Sequence, residues 1–174
     1  MIFRQILVIV GLSVILGLGL NTVSPNKIDV IGKYRSLSAG NGPIVPPSAS
    51  EGDPPFIAID LAELEYSQGT TLFIDTRDPE EFECGTIPGS INIPFDYLPE
   101  ENLEQYIDSA LGGAALDQAM IAFCSGEECD LSLHLARNLQ AMGYTNVSIF
   151  FGGSREWEKF GLDIEKRRAD CADL

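Results

Sequence analysis

Short runs of apolar residues alternate with amphipathic stretches from residue 56 onward. Most of these runs are rich in β-branched and aromatic side chains, which is typical of strands in a buried sheet. The predicted strands are residues 56–59, 71–75, 90–94, 119–123 and 147–151. Several stretches between them show the spacing of apolar residues that helices require. Strands that alternate with helices predict an α/β fold with a mainly parallel sheet.

Capping residues indicate where the predicted helices begin and end. Asp60 is the predicted N-cap of a helix over residues 61–67, which Gly69 ends. Asp78, followed by proline and two acidic residues, is the predicted start of the next helix. The other predicted helices lie within residues 98–111, over residues 131–142 and around Trp157.

The first part of the chain has a different pattern. Residues 6–20 are uncharged and almost wholly apolar, and the segment 5–23 reaches the roughly 20 residues that a spanning helix needs. We therefore expect a transmembrane signal-anchor over residues 5–23, with a cleaved signal peptide as the alternative. A linker rich in Pro, Gly and Ser is predicted over residues 36–55. The globular domain is then predicted over residues 56–165.

Basic residues lie on both sides of the apolar segment. Arg4 precedes it, and Lys27, Lys33 and Arg35 follow it. A strict positive-inside count places the globular domain in the cytoplasm, whereas the layout of a signal-anchor favours its export. We expect a single-pass membrane protein whose domain lies on the exported side, periplasmic or extracytoplasmic.

Charge and cysteine content narrow the possible functions. The net charge of -15 argues against nucleic acid as a partner, because phosphate binding needs clustered cations. Four cysteines, Cys84, Cys124, Cys129 and Cys171, lack the paired spacing of a structural zinc site, and His134 is the single histidine. We therefore predict no metal and no cofactor. The low cysteine density also argues against a disulfide scaffold, and Cys171 falls in a predicted tail over residues 166–174.

Cys124 is the predicted nucleophile. It follows an apolar strand and precedes a short polar loop and an amphipathic helix. A thiol at the end of a buried strand, facing a helix N-terminus, lies where a thiolate is stabilised. We therefore expect the pKa of Cys124 to lie below that of a free thiol, about 8.5.

Four motifs in order resemble the rhodanese family. They are residues 73–82, residues 85–94, the loop that begins at Cys124, and residues 143–157 with their glycine pair and tryptophan. The resemblance covers roughly residues 56–165. It implies the rhodanese-like three-layer fold, in which helices flank a mainly parallel five-stranded sheet. It also implies that Cys124 forms a persulfide.

The resemblance implies roles for further residues. Backbone N–H groups of the cysteine loop are expected to surround the terminal sulfur of the persulfide. These loop residues are Ser125, Gly126, Glu127 and Glu128. Asp75 and Arg77 look like the family's pair at the end of a strand, and we expect them to support the loops by charge-assisted hydrogen bonds.

The cysteine loop departs from the family pattern at several positions. Cys129 stands where single-domain rhodaneses typically have an arginine, and Thr86 stands where they have a histidine. Glu127 and Glu128 oppose thiolate formation and repel thiosulfate, each by roughly 0.5–1 kcal/mol. A related phosphatase activity is disfavoured, because it needs a longer loop that ends in an arginine.

The sequence therefore predicts a sulfur carrier or sulfurtransferase. Cys124 would take sulfur from a small sulfane-sulfur donor and pass it to a thiol acceptor. One alternative is a dithiol redox or sensing module, because Cys124 and Cys129 bracket one tight loop and could form a disulfide. The other alternative is a binding domain that keeps the fold without catalysis. No protein partner is identified by the sequence.

Overall fold

The computed structural model describes residues 2–23 and 42–171. Its elements in chain order are α1 (Ile2–Val23), α2 (Ile59–Gln68), β1 (Leu72–Asp75), α3 (Pro79–Cys84), β2 (Ile91–Asn92), a 3-10 turn (Phe95–Tyr97), α4 (Leu103–Ala110), β3 (Met120–Phe123), α5 (Leu131–Ala141), β4 (Val147–Phe150) and α6 (Gly153–Lys159). The predicted alternation of strands and helices is confirmed. The predicted caps differ: Asp78 accepts from the Glu81 N–H and begins α3, whereas Ala58 and not Asp60 precedes α2.

The four strands form one parallel sheet in the order β2-β1-β3-β4. Asp75 at the end of β1 lies opposite Phe123 at the end of β3, and Phe123 lies opposite Phe150 at the end of β4. The carboxyl ends of these strands therefore meet at one edge. Parallel α/β sheets bind their ligands at this edge.

Side chains alternate between the two faces of the sheet and bury a hydrophobic cluster on each face. Ile74 and Ala122 belong to one cluster, together with side chains from α4 and α5. Phe73 and Phe123 belong to the other, together with Trp157 of α6 and a side chain from α2. The three-layer α/β fold is thus present, with helices on both faces of a parallel sheet.

The predicted fifth strand is reduced to a single bridge. Phe56 forms an isolated parallel bridge with Ile149 beside β4, and helix α2 already begins at Ile59. Pro54 and Pro55 precede this bridge. Because proline has no backbone N–H, it cannot donate to the ladder on this side. The described sheet therefore has four strands where the sequence predicted five.

The segment before the domain is described only in part. Helix α1 (Ile2–Val23) covers the whole stretch that the sequence predicts as an anchor. Within residues 2–23 and 42–171, no helix combines the length and the apolar character that crossing a membrane requires. The predicted transmembrane anchor over residues 5–23, and membrane binding through it, are therefore not supported. Residues 24–41 lie outside the described part of the chain.

The described part of the predicted linker, from residue 42 onward, packs against the domain. Ile44 is only 3% exposed and belongs to the hydrophobic cluster that contains α5. Arg137 of α5 donates from Nε and Nη2 to the two carboxylate oxygens of Asp53, at 2.7 and 2.8 Å. These hydrogen bonds lower the pKa of Asp53. From residue 42 the chain is thus an ordered arm, while residues 36–41 lie outside the described residues.

The C-terminal segment is fixed by a disulfide that the sequence analysis did not predict. Cys84 at the end of α3 is bonded to Cys171, with 5.4 Å between their Cα atoms. The same segment pairs with the domain through an antiparallel bridge between Thr86 and Glu165. The Arg167 N–H also donates to the Glu83 carbonyl oxygen at 2.8 Å. Within the predicted tail, residues 166–171 are thus attached to the domain, and residues 172–174 lie outside the described part of the chain.

Removing the Cys84–Cys171 bond should lower the free energy of unfolding by about 2–4 kcal/mol, because a cross-link that closes a long loop restricts the unfolded chain. The measurement is urea denaturation of the oxidised Cys84→Ser/Cys171→Ser variant against the unmodified protein. A Cys124→Ser/Cys129→Ser variant is the matched control, and a reductant should destabilise it as much as the double substitution does. Equal midpoints for all oxidised proteins would contradict the prediction.

Candidate functional site

Cys124 begins a short loop that joins strand β3 to helix α5. Its side chain is 1% exposed, at the edge where the strand ends meet. Gly126 has a φ of 153°, a conformation that L side chains rarely adopt. The Cys129 N–H then donates to the Gly126 carbonyl oxygen at 3.0 Å. This tight turn folds the loop back so that its second cysteine approaches its first.

The two loop cysteines are joined in a disulfide. Their Cα atoms are 6.1 Å apart, within the usual range of about 4.4–6.8 Å for bonded cysteines. The structure thus brings Cys124 and Cys129 together as the sequence spacing allowed. In this oxidised state neither sulfur is a thiolate, and Cys124 becomes a nucleophile only after reduction.

Helix α6 holds the loop in place. The Ser154 N–H donates to the Cys124 carbonyl oxygen at 2.9 Å, and the Arg155 N–H donates to the Ser125 carbonyl oxygen at 3.2 Å. Gly153 begins α6 with a φ of 62°. A Cβ at this position would collide with the Cys124 carbonyl oxygen. The close approach of helix and loop therefore depends on glycine.

A buried network lies beside the loop at the end of β1. Arg77 donates to the Asp75 carboxylate through Nε at 3.0 Å and through Nη2 at 2.6 Å. Its Nη2 also donates to the Gly85 carbonyl oxygen at 2.6 Å. The Thr86 hydroxyl donates to Asp75 Oδ2 at 2.7 Å. Threonine at position 86 thus satisfies a buried carboxylate, a role that the sequence analysis missed.

The end of β1 is connected directly to the residue before Cys124. Thr76 donates from its backbone N–H and from its hydroxyl to the Phe123 carbonyl oxygen, both at 3.0 Å. Asp75 and Arg77 flank this threonine. The ion pair therefore fixes the chain on both sides of the contact that supports the cysteine strand.

Carboxylates make the surroundings of the loop electronegative. Glu127 and Glu128 lie on the loop itself, and half-buried Glu156 lies on α6. Burial raises the pKa of Glu156, and repulsion from Glu127 raises it further. Burial also raises the pKa of Glu81, against the lowering effect of Arg77. A thiolate or a dianionic ligand in the loop therefore needs a compensating positive charge.

A cavity of about 190 Å³ lies beside the loop and contains such charges. Ser125 lines it from the loop, and Arg77, Arg155 and Lys166 line it from three other segments. Neither Arg155 nor Lys166 was among the site residues predicted from the sequence. The one local signal for Arg155 was its position two residues after the glycine pair that meets the loop.

No described group of three or more His, Cys, Asp and Glu residues has a geometry suited to a metal ion. The groups at this site that can do chemistry include the two thiols, the loop amides and the nearby cations. Reduced Cys124 can act as a nucleophile, and Cys129 can act on it as a second thiol.

The domain has recognisable relatives. A family model described as "Rhodanese-like domain" matches residues 59–160. Human thiosulfate:glutathione sulfurtransferase is 34% identical over 107 residues, which cover 57% of this chain and 90% of that protein. The HTH-type transcriptional regulator Rv0324 of Mycobacterium tuberculosis is 32% identical over 111 residues, or 63% of this chain. The matched region spans only 45% of the regulator's length.

Solved structures share the fold. The BH2092 protein from Bacillus halodurans superposes with a TM-score of 0.53 at 22% identity, covering 66% of this chain and 78% of that one. At this identity the likeness shows the fold alone.

Replacing Gly153 by alanine should destabilise the protein by about 2–5 kcal/mol, because the new Cβ adds a collision with Cys124 to the strain of a positive φ. Gly69→Ala is the matched control, since Gly69 has a φ of 69° and open space around its missing side chain. It should cost only about 1 kcal/mol. Urea denaturation measures both, and equal losses would show that the contact with the loop contributes nothing.

Proposed function

Because this chain belongs to the rhodanese-like domain family, we propose that it is a sulfurtransferase that carries sulfane sulfur as a persulfide on Cys124. The observation that carries the proposal is the position of Cys124, in a tight loop at the aligned carboxyl ends of β1, β3 and β4. Relatives named as thiosulfate sulfurtransferases support it at the level of the family. The identities of the sulfur donor and the thiol acceptor that this chain uses are likewise proposed.

The proposed reaction has two displacements at sulfur. The Cys124 thiolate attacks the outer sulfur of a donor such as thiosulfate, and the donor's S–S bond breaks. Sulfite leaves with the electron pair, and Cys124 holds the persulfide. The thiolate of an acceptor then attacks the outer sulfur of this persulfide. The acceptor leaves as a persulfide, and the Cys124 thiolate is regenerated.

The contacts with α6 support this use of the loop. Carbonyl dipoles that faced the Cys124 sulfur would repel its negative charge. The carbonyl oxygens of Cys124 and Ser125 instead accept hydrogen bonds from the first turn of α6. They are therefore directed away from a sulfur anion held within the loop. Loop N–H groups are the remaining backbone dipoles that can stabilise that anion.

The Cys124–Cys129 disulfide favours a second candidate function, that of a dithiol redox module. A Cys129 thiolate that attacks the Cys124 sulfur of a persulfide would form this disulfide and release hydrosulfide. The outer sulfur is reduced to sulfide in this step, and the two cysteine sulfurs are oxidised. A thiol reductant would then restore the dithiol. In the disulfide state the protein cannot accept sulfur.

Reduced protein should gain the mass of one sulfur atom on Cys124 after exposure to thiosulfate or polysulfide. The test uses a Cys84→Ser/Cys171→Ser background, so that only the two loop thiols can react, and intact mass with peptide mapping locates the sulfur. Cys124→Ser in the same background should gain nothing. If neither donor adds sulfur to Cys124, the sulfurtransferase proposal fails.

Cys129→Ser should separate the two functions. In the second candidate, the protein with Cys129 releases hydrosulfide from its persulfide and becomes oxidised, whereas Cys129→Ser keeps the persulfide until a thiol acceptor is added. Hydrosulfide release and thiol alkylation measure the two products. Equal release with and without Cys129, and no trapped Cys124–Cys129 disulfide, would contradict the redox function while leaving sulfur transfer intact.

A further inference from the structure

We propose that the cavity beside the cysteine loop is an anion site that binds the sulfonate end of a sulfane-sulfur donor, with Arg155 as its principal cation. The inference rests on the proposed sulfurtransferase function and identifies the class of its donor. It also explains how the site can hold an anion although the loop itself lacks a positive charge. Cys129 occupies the position where the family places an arginine, and two glutamates add negative charge. The missing positive charge comes from another element, helix α6.

Arg155 lies directly against the loop. Its N–H donates to the Ser125 carbonyl oxygen at 3.2 Å. Its Cβ and Cδ atoms would each lie 3.8 Å from a Cβ built on Gly126. The stem of the side chain therefore passes along the loop, and the residue also lines the cavity. A Cβ at position 126 would thus lie in ordinary van der Waals contact with this stem.

The side chain of Ser125 lies between the cavity and the Cys124 sulfur. Ser125 lines the cavity, and its Oγ lies 3.8 Å from Cys124 Sγ. An anion in the cavity thus lies beside Ser125, the neighbour of Cys124, and the loop glutamates Glu127 and Glu128 do not line the cavity. This placement suits a donor whose charge is at one end and whose transferable sulfur is at the other.

The cations that line the cavity differ in whether a carboxylate already forms a salt bridge with them. Arg77 is buried and bound to Asp75 at 2.6 Å. Arg155 and Lys166 are exposed, and among the described residues neither forms a salt bridge. By contrast, every other described arginine of the domain forms one: Arg77, Arg137, Arg167 and Arg168. Arg155 and Lys166 are therefore the cavity cations that no salt bridge occupies, while Arg155 also acts electrostatically on the nearby Glu81.

The carboxylates of the cavity limit what it can hold. Glu81 and Glu158 line it together with the three cations. Burial raises the pKa of Glu81, which favours its neutral form and so weakens its opposition to an anion. A guanidinium can donate two parallel hydrogen bonds to a group with several oxygens. A sulfonate offers such oxygens, whereas a neutral polysulfide does not.

The site gives Arg155 a role in the first displacement. With the sulfonate bound at Arg155, the outer sulfur of thiosulfate is directed at the Cys124 thiolate. The thiolate forms the new S–S bond, and the bond between the two donor sulfurs breaks. Sulfite leaves with the electron pair of that bond. The guanidinium remains on the sulfite oxygens and balances the charge that departs with them.

The experiment measures persulfide formation on reduced protein as a function of donor concentration. Thiosulfate is the anionic donor, and a neutral organic trisulfide is the comparison. Arg155→Gln should raise the thiosulfate concentration for half-maximal reaction about tenfold, the value of one charge-assisted hydrogen bond. Its reaction with the trisulfide should stay within about twofold.

Two control variants come from the same helix. Lys159→Gln removes a cation one turn beyond Arg155 that does not line the cavity, and it should change neither reaction by more than about twofold. Glu158→Gln removes a cavity carboxylate and should lower the thiosulfate concentration required. An equal effect of Arg155→Gln and Lys159→Gln would overturn the inference. An equal loss of reactivity of Arg155→Gln towards both donors would also overturn the inference, because it would indicate that Arg155 only positions the loop.

A binding measurement separates this inference from the function on which it rests. Calorimetric titration of the oxidised protein with thiosulfate tests the anion site without any transfer of sulfur. Binding that Arg155→Gln weakens about tenfold and Lys159→Gln preserves supports the site, even if no persulfide forms. No binding to the unsubstituted protein would overturn the inference, and persulfide formation from a trisulfide would still uphold the proposed function.

Discussion

The cysteine loop keeps its shape because helix α6 lies against it without a side chain in between. Two backbone hydrogen bonds, from Ser154 and Arg155, hold the first two carbonyl groups of the loop. They can form because Gly153 lets the helix approach the Cys124 carbonyl. The same contacts orient the backbone dipoles and bring a guanidinium beside the reactive residue. The geometry and the charge of the site thus depend on one short interface.

That arrangement explains how a loop that carries two glutamates can form part of a site for anionic ligands. In a cysteine loop that carries its own arginine, the same segment provides both the tight turn and the positive charge. Here the curvature comes from the turn at Gly126, and the positive charge comes from α6 and from the C-terminal segment. The position thereby freed holds Cys129, whose thiol can reach Cys124. The loop thus carries a second cysteine where the family pattern has an arginine, and cations lie on the neighbouring segments.

The sequence predicted the order of elements and the place of Cys124 because both depend on local patterns. Short apolar runs marked the strands, and Asp78 marked the start of α3. The fifth strand was overestimated because the pattern at residues 56–59 does not show that the two preceding prolines remove donors. Hydrophobicity alone also did not distinguish an ordered arm from a linker at Ile44.

Features that join distant segments were beyond local patterns. The Cys84–Cys171 bond links residues 87 positions apart, and no spacing rule identifies such a pair. The hydrogen bond from Thr86 to Asp75 and the approach of Arg155 to the loop depend on how the helices pack. The candidate site could therefore be located from sequence, whereas its electrostatics required the tertiary structure.

The helix that holds the loop also carries the chain's single tryptophan. Trp157 is buried, packs edge-on against Phe73 and Phe150, and donates from Nε1 to the Asp163 carbonyl oxygen at 2.9 Å. A change in the loop that shifts α6 must alter the surroundings of this indole. The protein therefore contains an intrinsic fluorophore on the helix that contacts its cysteine loop, and we expect its emission to report loop changes that shift α6.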